Sequence, residues 1–196
     1  MKLKELMTGV TPDEEYAGIT NTDDFVLAVD ITGTADTKKA DYVVVQTGVT
    51  AVDAQLNPET EDKTYLRTGK STNKTATQRT FNITGDRFEG DEFQDYACSH
   101  AIKFGKGQKI VVPYVYFSML TGKGEAGQAA IIVNSDGSGD AGAAAEVDID
   151  IMCNNSAPVE YTYADDSAGG LTPLVEHAAN SEGQEAGSEL CEQEEV

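Results

Sequence analysis

Apolar side chains recur at every second position through residues 24–33, DFVLAVDITG, where Phe25, Leu27, Val29 and Ile31 share one side. Strand side chains alternate between faces, so this period predicts a half-buried β-strand. A second strand is predicted in YVVVQTGV, 42–49. The stretch KTYLRTGKSTNKTATQRTFNIT, 63–84, gives two more, KTYLRT and TQRTFNIT, with Phe81 and Ile83 opposed to Thr80, Asn82 and Thr84. Between them GKSTNKTA has no apolar anchor, which predicts a hairpin with a long polar loop at its tip. Further strands are predicted in QKIVVPYVYFSML, 108–120, GQAAIIVNS, 127–135, EVDIDIMC, 146–153, and PVEYTY, 158–163. Pro113 cannot donate to a ladder, so it implies an edge position or a bulge. GKGEAG and DGSGDAG are turn sequences at hairpin spacing.

One segment changes period. In GDEFQDYACSHAIKFGKG, Phe93, Ala97, Ala101 and Phe104 recur at helical spacing, with Ile102 nearby. Asp91, Glu92 and Asp95 lie at the start, Lys103 near the end, and Gly105 follows. That charge order suits the helix dipole and the glycine suits a left-handed cap. A single helix over about 91–104 is predicted, packing through Phe93, Ala97, Ala101 and Phe104. The expected fold is mainly β: a sandwich or barrel of about seven or eight strands with one flanking α-helix. It divides into an N-terminal arm, 1–20, a β domain, 21–165, and an acidic C-terminal tail, 166–196. The tail composition predicts disorder or docking onto another surface.

Charge sharpens this picture. The chain has 196 residues, no tryptophan and a formal net charge of −20. Residues 1–123 hold 14 basic and 18 acidic side chains, whereas residues 124–196 hold none and 16. Such a field argues against holding nucleic acid. Yet six of the fourteen basic residues, Lys63, Arg67, Lys70, Lys74, Arg79 and Arg87, fall within residues 63–91. No stretch is apolar over the length of a membrane span, and no signal peptide is evident, so a soluble protein used from the cytosol is expected. Cys98, Cys153 and Cys191 form no CxxC pair, which favours free thiols over a disulfide framework or a zinc site.

Chemical motifs are scarce. GSGDAG, 137–142, matches a dinucleotide fingerprint in letters, but the following AAAEVDIDI alternates as a strand where a helix is required. Asp136, Ser138 and Asp140 imitate the start of a calcium loop that lacks its glycine and its terminal glutamate. GKST, 69–72, lacks the first glycine of a phosphate loop, Thr64 standing in its place. His100 and His177 have no evident nucleophilic partner. No catalysis, cofactor or metal is expected. In EVDIDI, Glu146, Asp148 and Asp150 point to one side; they form either a solvated outer face or the wall of a passage for a polyanion.

The run QLNPETEDKTYLRTGKSTNKTATQRTFNITGDRFEGDEFQDYACSHAIKFGKG, 55–107, resembles the major tail tube proteins of long-tailed bacteriophages. There a charged, Thr-rich hairpin leads through GDRFEGDEFQDY into a single helix. Residues 25–54 are similar in style, and the strand order is compatible to about 163. The resemblance implies a β-sandwich with one helix, self-assembly into stacked hexameric rings, and sheets joined into a ring-wide barrel around a channel for the genome. It implies a virion tail protein assembled in the host cytoplasm, whose partners are itself, a tape measure and a tail terminator. DNA would pass through the lumen without specific binding, and no membrane is involved. On this reading Lys70, Lys74 and Arg79 reach a neighbouring subunit or ring, and Glu146, Asp148 and Asp150 face the lumen. The alternatives are a carbohydrate-binding or adhesin-like β-sandwich, or another phage part such as a decoration or tail-completion protein.

Overall fold

The computed structural model describes residues 1–31, 42–154 and 157–163. The expected acidic tail, with His177 and Cys191, lies outside the described residues. Short helix α1, Leu3–Leu6, precedes strands β1, Phe25–Asp30, β2, Tyr42–Val44, and β3, Val49–Gln55. A long hairpin follows, β4, Pro58–Tyr65, and β5, Gly69–Thr77. The chain then runs through β6, Thr80–Asp86, and helices α2, Glu92–Ala97, and α3, His100–Lys103. Four strands complete it: β7, Val111–Ser118, β8, Lys123–Ser138, β9, Glu146–Cys153, and β10, Val159–Thr162.

Eight strands form one antiparallel sheet in the order β2-β1-β7-β8-β9-β6-β3, with β10 also on β8. Strand β8 is long enough to serve two partners on one edge: Lys123–Ala126 pair β10, and Ala129–Ser138 pair β9. Its other edge pairs β7 through Gly124–Ala130. Residues from both ends of the sheet, Val43 and Val45 near β2 and Val49 and Val52 of β3, pack on the same core as Ile131 and Ile149 in its middle. The sheet therefore curls on itself, as the expected sandwich or barrel does.

That inner core holds Phe81, Ile83, Ile131, Ile149 and Ile151, and is closed by Phe93, Ala97 and Ile102 from the helices. A second core lies on the opposite side of β1. There Val26 and Ala28 meet Phe117, Tyr161 and, from the opening residues, Leu3 and Met7. Hence β1 is buried on both faces rather than half-buried, and the first residues, expected as an arm, cover its outer side. The turn into β3 requires glycine twice. Gly48 has φ +73°, and a Cβ on Gly85 would come 2.2 Å from the Gly48 carbonyl oxygen.

Three expectations need correction. The helix is broken: Cys98 and Ser99 separate α2 from α3, and Ser99 starts a new turn. The break rotates the buried face, so Phe93 and Ala97 are buried as expected, but Ile102 takes the place of Ala101. Ala101 is exposed, and Phe104 is 67% exposed, packed on His100 instead of the sheet. Strand β7 is interior, between β1 and β8. Pro113 is tolerated because the ladder to β1 stops at Tyr114. Finally, GKSTNKTA is not a loop. It is β5 itself, and the hairpin turns at Leu66–Thr68.

Candidate assembly surfaces

The hairpin β4–β5 continues the β3–β6 ribbon beyond its last pair, Gln55 with Thr80, after a break at residues 56–57 and 78–79. At about 3.3 Å per residue its strands extend for ~25 Å. All of β4 is exposed, and in β5 only Ser71 and Thr77 are partly covered. A two-stranded ribbon without a packed face is marginal by itself in water. Local polar contacts tie it. Lys70 Nζ lies 2.6 Å from Asp62 Oδ2, Thr72 Oγ1 donates to Asp62 Oδ1 at 2.6 Å, and Lys63 faces Glu61 at 3.5 Å. The Lys70 and Thr72 bonds hold the Asp62 carboxyl below its ordinary range. Lys74 and Arg67 have no carboxylate partner among the described residues. The tip carries Leu66, which is 100% exposed, beside half-exposed Tyr65.

Arg79 belongs to another setting. It stands at the root of the hairpin, only 8% exposed. Its Nε donates to Glu125 Oε1 at 2.6 Å, and its guanidinium lies 4.6 Å above the Phe81 ring and 5.0 Å from that of Tyr116. The expectation that Arg79 reaches a neighbour is therefore corrected: its charge is used inside its own subunit. The signal was present in the sequence, since Arg79, Phe81 and Ile83 share one parity along the strand.

The outer face of β3, β6, β9 and β8 gathers acids. In β9, Val147, Ile149 and Ile151 point into the core, and Glu146, Asp148 and Asp150 point out. Register places Asp53 opposite Asn82, Asn82 opposite Asp150, and Asp86 opposite Glu146. Sequence reading missed Asp53 and Asp86; the alternation of Val52 and Ala54 with Asp53 marks the first. Two carboxamides clamp the row. Asn82 Nδ2 donates to Asp148 Oδ1 at 2.9 Å and to Asp150 Oδ1 at 2.8 Å. Asn134 Nδ2 donates to Asp150 Oδ2 at 2.7 Å. These bonds fix the carboxylates without neutralising them, and no lysine or arginine lies in β3, β6 or β9.

This acidic sheet has open margins. Among the described residues no strand pairs with the second edge of β3, or with the β7-side edge of β8 beyond Ala130. Unpaired N–H and C=O groups along such edges are templates for another chain. Elsewhere the residues of the rejected motifs serve the fold. Asp136 pairs with Lys103, which holds its carboxyl below the ordinary range. GSGDAG ends β8 and enters the β8–β9 turn, with Gly142 at φ +90°. Burial raises the Cys98 thiol above its ordinary value, the opposite of an activated nucleophile.

No protein-family profile matches the chain, and no curated protein matches its sequence. Among solved structures the chain is similar to one from the virion of a native gene transfer agent (GTA) particle. That pair shares 16% identity over 74% of this chain and 100% of the other, with a TM-score of 0.47. It is also similar to a chain from the sheath/tube terminator of an extracellular contractile injection system (PVC) in the extended state. There the identity is 10%, over 72% of this chain and 97% of the other, with a TM-score of 0.41.

Proposed function

We propose that this protein is a structural subunit of a virion tail that self-associates into stacked hexameric rings and forms the tail tube. One observation carries the reading: an acidic sheet face whose margins, at β3 and at β8 beyond Ala130, are unpaired among the described residues, extended by a hairpin exposed along its length. Edge-to-edge addition of the β3 margin of one copy to the β8 margin of the next completes the ladders of both. Repeated around a ring, this contact is heterologous and closes if the rotation is right. The face bearing Asp53, Asp86, Glu146, Asp148 and Asp150 then turns inward on the bore. Duplex DNA carries one phosphate charge per ~1.7 Å, so a wall of fixed carboxylates lets it pass without holding it. The hairpin contacts the neighbouring subunit or ring through Lys70, Lys74 and the Leu66 tip. The subunit performs no catalysis and requires no cofactor.

The test is the assembly state of the purified full-length protein, by sedimentation and negative-stain microscopy. Six-fold rings or tubes are expected. A monodisperse monomer at every concentration and salt would refute the reading.

A further inference from the structure

Residues 96–124 contain no Asp or Glu, in a chain that has 34 of them. Their lysines concentrate in the turn after α3. An open cleft of about 390 Å³ lies there, lined by His100, Ala101, Phe104, Gly105, Lys106 and Lys109. Phe104 is 67% exposed, with its ring 4.8 Å from that of His100. Lys103, 5.9 Å from the Phe104 ring, is held by Asp136. Lys106 and Lys109 are exposed and have no carboxylate partner among the described residues. The cleft therefore offers two uncommitted ammonium groups beside an aromatic surface.

We propose that this cleft is the docking site for residues 164–196 of an adjacent copy of the chain. Those residues contain nine carboxylates and no lysine or arginine, so they complement the cleft in sign. Leu171, Leu174 and Val175, next to Glu176, supply apolar side chains for the Phe104 ring beside acids for the lysines. The polarity of the subunit suits a stacked neighbour. The described chain stops at Tyr163, whose N–H donates to the Gly122 carbonyl near the end of β7, whereas the cleft precedes the start of β7. The eight residues of β7 put ~25 Å between the two sites. A segment leaving one end of a subunit meets the opposite end of the next in a head-to-tail stack. Thirty-three residues extend far enough for this, at ~3.3 Å each. Duplex DNA is the other polyanion of suitable sign, but a net charge of −20 repels it over the rest of the molecule. The inference rests on the tube reading only for the presence of a stacked neighbour.

Photo-crosslinking tests it directly. Phe104 is replaced by p-benzoyl-phenylalanine in the full-length chain, and isotopically heavy and light subunits are mixed before assembly. The expected products join position 104 of one isotope to residues 164–196 of the other, and are lost in Lys106→Glu/Lys109→Glu and at high salt. Products confined to one isotope, or joined only to β-strand residues of a neighbour, would overturn the docking. So would crosslinks that form only when duplex DNA is supplied and that carry the DNA. Microscopy of the same samples separates the two ideas: monomers fail the tube reading, whereas tubes without this crosslink fail the docking alone.

Discussion

Arg79 is a cation in a nearly dry place, and its neighbours account for it. Glu125 neutralises it, while Phe81 and Tyr116 cover its faces. Removing a buried member of such a pair strands the other charge. Arg79→Ala is expected to lower stability by about 2–3 kcal/mol, measured by urea unfolding, with Arg79→Lys in between because it keeps the charge but loses the planar stack. Tyr42 makes a second residue-level prediction. Burial, then the nearby Asp30 charge, pushes its phenol up from 10.0 to about 12. The folded state therefore holds this proton more tightly than the unfolded chain does. Its contribution is intact below the unfolded value and is lost as pH rises through the folded one. Tyr42→Phe is expected to move the alkaline unfolding midpoint upward, read by circular dichroism alongside phenolate absorbance. An unchanged midpoint would show that another group governs the transition.

At the scale of elements, what the sequence made legible depended on burial. Where one face meets the core, as in β9, alternation of Val147, Ile149 and Ile151 with acids located the strand correctly. Where neither face is buried, as in β5, nothing alternates, and a strand of Lys, Ser, Thr and Asn reads as a loop. The helix shows a different limit. Spacing continues through 93, 97, 101 and 104 as if the backbone did, but the break at Cys98 and Ser99 resets the phase. Two substitutions separate the expected and observed faces. Phe93→Ala should cost about 3–5 kcal/mol, since Phe93 is fully buried. Phe104→Ala should stay within about 0.5 kcal/mol. Comparable losses in chemical denaturation would restore the continuous helix. Excising residues 58–77 and closing the ribbon with a two-residue turn is expected to leave the melting transition of the subunit nearly unchanged and to abolish tubes, scored by microscopy.

Across the whole molecule, charge and topology divide the labour. The inward parity of β6 and β9 builds the core, and the outward parity of the same strands builds the acidic face. Sequence alone marked Glu146, Asp148 and Asp150 but could not bring Asp53 and Asp86 beside them, because strand pairing is a property of the fold. Replacing Glu146, Asp148 and Asp150 by lysine is expected to permit assembly while slowing DNA passage, measured by an ejection assay. Amide replacements, which keep the Asn82 and Asn134 network closer to its native shape, should assemble and show a smaller defect.

The most direct measurement is a cryo-electron microscopy reconstruction of the assembled full-length protein. Six-fold rings are expected, with β3 of each subunit laddered to β8 of the next and Asp148 and Asp150 on the bore. A bore lined by another face, or a closed particle in which both edges stay unpaired, would contradict it.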